Sequence, residues 1–459
     1  MIHKFAMNGL NIVLDVNSGA VHVVDKVTYE VLDFYKEKDI NFIKENLTNF
    51  SSDEIEEAYK EILELEENGL LYSQDNYLDI EGFKNREPVV KAMCLHIAHD
   101  CNLKCKYCFA SQGDFGGQKS HMSLEVGKKA LDYLVANSGS RRNLEVDFFG
   151  GEPLMNFEVV KQLVSYGNEI APQKGKNFRF TITTNGVLLD DEKIAYINEH
   201  MHNVVLSLDG RKDINDDMRP TLNDKGSYDI IVPKFQKLVK ERKNKYYYLR
   251  GTFTRDNMDF GKDVLHFKDL GFDLTSLEPV VGDESNPYAL RDEDLPRILK
   301  EYEDLAVKYA DMRVKDEKFR FFHFMIDLAQ GPCAIKRLTG CGAGTEYLAV
   351  TPEGDIYPCH QFVGQEEFKM GNILDKEINL PEDMRKTFRD AHVYSKEDCS
   401  KCWARFYCSG GCHANAYNFN DDILKPYELG CEMQKKRVEC ALMVEAKVML
   451  EKEDLEPIL

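Results

Sequence analysis

Six short apolar runs alternate with amphipathic stretches between about residues 90 and 310, and this alternation constrains the fold more than any other feature of the sequence. The runs have the length and composition of buried strands and span 91–98, 144–149, 178–183, 204–208, 247–253 and 273–278. The stretches with apolar residues at helical spacing are 124–136, 158–170, 230–240 and 295–309. Repeated βα units predict an α/β fold with a parallel sheet, either an open wound sheet or a barrel, whose functional loops follow the strands.

The two flanking regions have different patterns. Residues 1–80 contain a hairpin signal, Asn17-Ser18-Gly19, followed by helical spacing after the N-cap residue Ser51. This pattern predicts a small winged-helix-like unit, and the alternative is a segment that only covers the edge of the main domain. After about residue 330 the alternation gives way to cysteine-rich loops and a closing helix over 432–450. We therefore expect three domains, over 1–80, 88–312 and 313–459.

The charge balance narrows the possible partners. Lys and Arg number 59 against 79 Asp and Glu, so the formal net charge is −20. This acidic excess argues against a broad surface for nucleic acid or anionic membranes. The first residues lack a signal sequence, and no stretch approaches the roughly 20 apolar residues of a membrane span. We expect a cytoplasmic protein with no nucleic-acid or membrane partner.

The thirteen cysteines form two blocks. Four lie between Cys94 and Cys108, none in the next 224 residues, and nine between Cys333 and Cys440. Because cytosolic thiols stay reduced, clustered cysteines favour metal sites over disulfides. The sequence therefore predicts two metal-binding regions.

The first block contains the loop Cys101-x3-Cys105-x2-Cys108, directly after the first predicted strand. Three thiolates can ligate three irons of a four-iron, four-sulfur cluster and leave the fourth iron open, whereas a closed zinc site needs a fourth ligand. His99 or Cys94 would have to complete such a zinc site, although Cys94 lies within the strand.

This loop, with Tyr107 before its last cysteine, resembles the signature of the radical S-adenosylmethionine (SAM) enzymes, and further motifs follow later strands in the same order. These motifs are Gly150-Gly151-Glu152-Pro153, Thr183-Thr184-Asn185-Gly186 and Ser207-Leu208-Asp209-Gly210. The resemblance implies a partial (β/α)6 barrel in which Cys101, Cys105 and Cys108 hold the catalytic cluster. It further implies S-adenosylmethionine contacts at the residues Tyr107, Gly150, Gly151, Glu152, Pro153, Asn185, Ser207, Asp209 and Arg219. The bound cofactors would generate a 5′-deoxyadenosyl radical.

The second block contains Cys399-x2-Cys402-x5-Cys408-x3-Cys412, together with Cys341, Cys359 and Cys431. Seven thiolates are too many for one four-coordinate site and one short of two closed sites, and a zinc ribbon is the alternative to iron. The spacing resembles the SPASM domain, which carries two auxiliary four-iron, four-sulfur clusters, so three such clusters are expected in all. The resemblance assigns Cys399, Cys402, Cys408 and Cys431 to one cluster. It assigns Cys341, Cys359 and Cys412 to the other, whose fourth position is open or filled by Cys333. Cys94 and Cys440 remain as buried thiols.

The N-terminal hairpin and helices resemble the PqqD-like elements that recognise the leaders of ribosomally made peptides. The whole chain, including residues 340–347, resembles the SCIFF maturases. That resemblance implies an anaerobic enzyme that forms Cys-to-Thr thioethers in a cysteine-rich precursor (ranthipeptide or sactipeptide class), with a low-potential electron donor such as flavodoxin or ferredoxin.

Two alternatives remain open. One keeps the architecture but changes the reaction to sulfatase-type Cys or Ser oxidation or to carbon–carbon crosslinking. An oxidising enzyme would favour a general base, for which Asp283 or Glu284 is a candidate. The other alternative is a non-catalytic electron-transfer or metal-binding protein.

Overall fold

A computed structural model describes residues 1–79, 87–282, 285–328 and 334–452. Cys333, Asp283 and Glu284 lie outside these ranges. The strands are β1 (Ile2–Met7), β2 (Leu10–Asp15), β3 (Val21–Val24), β4 (Ala92–His99), β5 (Ser120–His121), β6 (Asn143–Gly150), β7 (Asn177–Thr184), β8 (Asn203–Ser207), β9 (Tyr248–Phe253), β10 (Leu274–Pro279), β11 (Arg320–Phe321), β12 (Tyr347–Val350), β13 (Asp355–Tyr357) and β14 (Gly371–Asn372). The helices are α1 (Lys26–Val31), α2 (Ile40–Asn46), α3 (Ser52–Glu67), α4 (Leu124–Ala136), α5 (Phe157–Gln173), α6 (Asp191–His200), α7 (Lys212–Met218), α8 (Tyr228–Arg242), α9 (Gly261–Asp269), α10 (Leu295–Lys315), α11 (Ala334–Thr339), α12 (Glu382–Asp390), α13 (Glu397–Ser400), α14 (Arg405–Cys408), α15 (His413–Asn420) and α16 (Glu428–Lys452).

The six predicted strands correspond to β4 and β6 to β10, which lie side by side in chain order and pair in parallel. The predicted α/β fold with a parallel sheet is therefore confirmed. Within β6, Leu144, Val146 and Phe148 are buried, whereas Asp147 and Phe149 on the opposite face are partly exposed. Because side chains alternate along a strand, one face of the sheet packs against helices while the other presents polar groups to the barrel interior.

The C-terminal region contributes a strand to the same sheet. β12 pairs in parallel with β4, from Tyr347 opposite Ala92 to Val350 opposite Leu95. At the other end, the short strand β11 pairs with β10. Each of these pairings satisfies backbone groups that an edge strand would otherwise expose. The pairing of β12 with β4 also brings the cysteine-rich region beside the cysteine loop after β4.

The N-terminal unit is a three-stranded antiparallel sheet, in the order β1-β2-β3, with α1 to α3 packed on it. The sequence pattern indicated the β2–β3 hairpin but not β1. Ser51 caps α3 in a capping box with Glu54, as its position indicated. On β2, Val13 faces the three helices while Ile12 and Leu14 join the main core, so this strand is buried on both faces.

Direct contacts attach the N-terminal sheet to the C-terminal region. The His3 ring stacks on Trp403 with centroids 3.6 Å apart, and His3 Nε2 lies 2.9 Å from a carboxylate oxygen of Glu439 on α16. Arg405 Nη2 donates to Asn17 Oδ1 at 2.7 Å. The first and last thirds of the chain therefore share an interface.

No helix in the described part of the chain combines the length and the apolar character needed to cross a bilayer.

Candidate active site and auxiliary cysteine sites

The cysteine loop begins two residues after β4 ends. Cys101 Sγ accepts a hydrogen bond from Leu103 N at 3.5 Å and another from Asn185 Nδ2 at 3.6 Å. Asn185 also donates to Asn102 Oδ1 at 2.8 Å. The loop after β7 therefore supports the loop after β4, because the carboxyl ends of parallel strands meet at one edge of the sheet.

The Gly150-Gly151 turn packs on the backbone that leads into this loop. Gly151 N donates to Ala98 O at 2.8 Å, and a Cβ on Gly151 would overlap Asp100 O. Gly150 has a φ of +125°, and a Cβ there would overlap Ala98 O. Only glycine permits this close approach of two backbones.

The side chain of Glu152 is fully buried and connects two strand ends. It accepts hydrogen bonds from Thr184 Oγ1 and Asn185 N, both at 2.8 Å, and from Leu154 N at 3.0 Å. Burial raises the pKa of Glu152 to about 7, although these hydrogen bonds oppose the rise. Glu152 thus positions the residues of the site.

A cavity of about 490 Å³ opens above the cysteine loop. Its wall includes all three loop cysteines and six of the residues assigned to S-adenosylmethionine, namely Tyr107, Gly150, Gly151, Asn185, Ser207 and Arg219. The other three assigned residues, Glu152, Pro153 and Asp209, do not line this cavity. Glu152 and Asp209 are fully buried behind the wall, where each holds lining residues in place. We propose a positioning role for these two carboxylates, and cofactor contact by Glu152, Pro153 and Asp209 stays a prediction.

Tyr107, Asp209 and Arg219 form one buried network. The Tyr107 hydroxyl donates to Asp209 Oδ2 at 2.7 Å and accepts from Arg219 Nη1 at 2.8 Å. Burial raises the pKa of Asp209, and the Arg219 guanidinium opposes this rise. Arg219 is only 8% exposed, yet its buried Nε has no hydrogen-bond partner among the described residues. Arg219 lines the cavity, and a guanidinium suits the carboxylate of S-adenosylmethionine, so these residues fit the group that the motifs imply.

Arg219→Gln is expected to weaken S-adenosylmethionine binding by roughly 10- to 100-fold, because a hydrogen bond to a charged group contributes about 1.5–3 kcal/mol. Calorimetric titration of the anaerobic holoenzyme measures this affinity. The matched control is Arg255→Gln, since Arg255 forms an ion pair with Glu293 and does not line the cavity. Unchanged affinity in Arg219→Gln would remove Arg219 from the binding site.

The polar residues of the cavity wall that the sequence analysis missed include Arg250, Thr252, Glu278 and His360. Arg250 and Thr252 occupy alternate positions of β9, so a polar alternation within an otherwise apolar strand was the available signal. Burial alone would raise the pKa of Glu278, but His323, Arg437 and Arg250 hold it below its ordinary value. The cavity therefore contains a carboxylate that stays ionised.

Seven of the nine cysteines in the C-terminal block form two groups in space. Each group consists of thiols that lie close enough to shift one another's pKa. Set I comprises Cys341, Cys359 and Cys412. Set II comprises Cys399, Cys402, Cys408 and Cys431. Burial raises the pKa of Cys359 and of Cys431 to about 12, and thiols of the same set contribute to both shifts. The grouping coincides with the ligand sets that the resemblance implies.

The spacing of the thiols bears on the kind of metal. Every cysteine in the described ranges is a free thiol. Within those ranges, no three His, Cys, Asp or Glu side chains converge on the position of a single metal ion. A mononuclear zinc draws its ligands to about 2.3 Å, whereas ligands of a four-iron cluster bind different irons and stay further apart. Set II supplies four thiols and set I three, and thiolates are the ligands that hold four-iron clusters. Cys94 and Cys440 are fully buried, and Cys94, on β4, is influenced by Cys359 of set I.

Two family models match the chain. Residues 95–252 match the radical SAM superfamily, and residues 341–403 match the iron-sulfur cluster-binding domain called SPASM. An uncharacterized protein of Methanocaldococcus jannaschii is 33% identical over 308 residues, which cover 64% of this chain and 92% of that protein. A cysteine-type anaerobic sulfatase-maturating enzyme of Clostridium novyi is 25% identical over 336 residues, covering 69% and 86%.

Among solved structures, SuiB of Streptococcus suis resembles the chain over nearly its full length. The complex of SuiB with S-adenosylmethionine gives a TM-score of 0.54 at 16% identity and covers 94% of this chain and 98% of SuiB. The complex with the precursor peptide SuiA gives 0.53 at the same identity and covers 91% and 95%. At this identity the likeness establishes a shared fold.

Proposed function

Because this chain belongs to the radical SAM superfamily and carries a SPASM domain, we propose that it forms Cys-to-Thr thioether crosslinks in a ribosomally made, cysteine-rich precursor peptide. The observation that carries this proposal is the position of the cavity. One wall is the cysteine loop, and another includes His360 and Gln361, which directly follow Cys359 of set I. A peptide in this cavity would meet both sites at once.

The chain's own residues have three tasks in this proposal. Arg219 and Tyr107 orient the carboxylate of S-adenosylmethionine, and the two glycines after β6 let backbone groups approach it. The apolar walls formed by Phe109, Phe149 and Val280 limit access of water. When bound, the cofactors supply a 5′-deoxyadenosyl radical that removes a hydrogen atom from carbon.

Set I is suited to hold the second reactant. Its three thiols are one short of four ligands, so a substrate cysteine can provide the fourth, unless Cys333 fills that position. Bound as a thiolate, the substrate sulfur would be held deprotonated next to the cavity. For each ring that closes, the carbon loses a hydrogen atom to the 5′-deoxyadenosyl radical, and the sulfur loses a proton to solvent. Formation of the carbon–sulfur bond releases one electron, which a cluster in set I would accept.

We place the leader of the precursor on the N-terminal unit. In the described part of the chain, β3 pairs only with β2, so its outer edge can take an extended peptide as an added strand. SuiB, which shares the fold, has been solved with its precursor peptide bound. The remaining parts of the proposal are three four-iron clusters, a low-potential donor such as flavodoxin or ferredoxin, and an anaerobic cytoplasm in which thiols stay reduced.

Sulfatase-type oxidation is the second candidate, because the Clostridium novyi relative bears that name. Such a reaction needs a general base with a pKa near the working pH. Glu278 lines the cavity, but its pKa lies below the ordinary value, which makes it a weak base. The base for that reaction would then be a residue other than Glu278.

The test is an anaerobic reaction of the holoenzyme with a candidate precursor peptide that contains several Cys and Thr residues, followed by tandem mass spectrometry. We expect a loss of two hydrogen atoms per ring and fragments that join a Cys sulfur to a Thr carbon after reduction and alkylation. A peptide with Ser for Cys is the matched control and should gain no ring. Loss of sulfur from the peptide would indicate sulfatase-type oxidation, and an unmodified peptide without consumption of S-adenosylmethionine would indicate a non-catalytic protein.

A further inference from the structure

A buried lysine lies between the two auxiliary cysteine sets. Lys396 is 1% exposed and directly precedes α13. Its Nζ donates to Gly410 O at 2.7 Å and lies 3.5 Å from His413 Nδ1. These contacts fix the lysine in the interior of the cysteine-rich region. Lysine is almost never buried without a partner.

The charge partners of Lys396 are thiols. Its charged form is favoured by Cys399 and Cys408 of set II and by Cys341 and Cys412 of set I. Burial lowers the pKa of Lys396, and these four thiols oppose that effect. No carboxylate forms an ion pair with it in the part of the chain that the structure describes. A buried cation without a carboxylate is costly. With a cluster in each set, the ligating thiolates would supply the negative charge that balances this cation.

The hydrogen bond to Gly410 attaches Lys396 to the turn that connects the two sets. Residues Ser409, Gly410 and Gly411 separate Cys408 of set II from Cys412 of set I, and all three have left-handed backbones, with φ of +62°, +88° and +73°. Two of them are glycine, which adopts such angles without strain. The ammonium group therefore donates to a carbonyl that is two residues from a ligand of each set, Cys408 and Cys412.

We propose that Lys396 raises the reduction potentials of both auxiliary clusters together, an inference that rests on the proposed function because it requires a cluster in each set. Reduction adds one negative charge to a cluster, and a fixed cation nearby stabilises the more negative state. Lys396 lies near thiols of both sets, so its charge acts on the reduction potentials of both clusters. It is a positioning residue, because it touches neither substrate nor the cysteine loop after β4.

The experiment is a redox titration of the anaerobic holoenzyme followed by electron paramagnetic resonance. Lys396→Met removes the charge and keeps the length of the side chain, and both auxiliary potentials are expected to fall while that of the radical SAM cluster stays unchanged. Lys396→Arg restores the charge and should return both potentials toward the original values. Lys396→Gln retains a donor for Gly410 O and should behave as Lys396→Met, which separates the charge from the hydrogen bond.

Lys435→Met is the matched control. Lys435, on α16, is near Cys402 and Cys431 of set II only and pairs with Glu432 at 2.6 Å. Its loss should move at most the set II potential. Unchanged auxiliary potentials in both neutral variants of Lys396, or a shift of one cluster alone, would overturn the inference. Loss of both clusters in all three variants would make Lys396 a folding residue and overturn it as well. If the unsubstituted protein holds no auxiliary clusters, that result would instead contradict the proposed function.

Discussion

Replacement of Cys101 by alanine is expected to lower the rate of 5′-deoxyadenosine formation by more than about 100-fold, since the loss of even an outer partner of a metal ligand can cost that much. Cys101 is the loop cysteine whose sulfur accepts hydrogen bonds from Leu103 N and Asn185 Nδ2. Its removal leaves two of the three ligands, and these cannot hold a cluster that presents one open iron. Chromatographic measurement of 5′-deoxyadenosine under reducing, anaerobic conditions gives the rate.

The control for this prediction is Cys440→Ala. Cys440 is likewise a free thiol, but it is fully buried on α16 and is assigned to no ligand set. It should retain both the cleavage activity and about twelve irons per chain, whereas Cys101→Ala should lose about four of them. If Cys101→Ala still cleaves S-adenosylmethionine, the loop is not the catalytic site.

The second large effect is expected for Gly151→Ala. The added Cβ would overlap Asp100 O, which directly precedes the first loop cysteine, and a backbone atom cannot rotate away. Overpacking of this kind costs about 1–3 kcal/mol. Because the cost falls on the loop that positions the reacting groups, we expect a roughly 10- to 100-fold loss of S-adenosylmethionine cleavage.

The matched control is Gly117→Ala. Gly117 lies in the segment after the same loop, and its added Cβ would be 3.4 Å from Asp114 O, an ordinary contact. Iron content and thermal unfolding of both variants distinguish a displaced loop from an unfolded protein. Equal cleavage rates in the two variants would show that the close packing of these two backbones is not required.

Most of the parallel sheet was predictable from patterns among neighbouring residues of the sequence. The six strands of the parallel sheet were predictable because each is a short apolar run, and four of these runs are followed by a stretch with apolar residues at helical spacing. Both periodicities are properties of neighbouring residues. β1, β5 and β11 to β14 were missed. β12 is four residues long, and its pairing with β4 joins residues 255 positions apart, from Ala92 to Tyr347. No local pattern records such a pairing, because its stability comes from the partner strand.

The functional site likewise has features that the sequence determines and features that only the folded structure determines. The sequence by itself determined the three-cysteine loop, the glycine turn and the number of thiols in the C-terminal block, because these depend on spacing along the chain. Only the tertiary structure decided that Glu152 and Asp209 lie behind the cavity wall, that Arg219 reaches Tyr107, and that Lys396 sits between the two sets. Burial and electrostatic neighbours arise from contacts between distant segments, so they become defined only when the chain is folded.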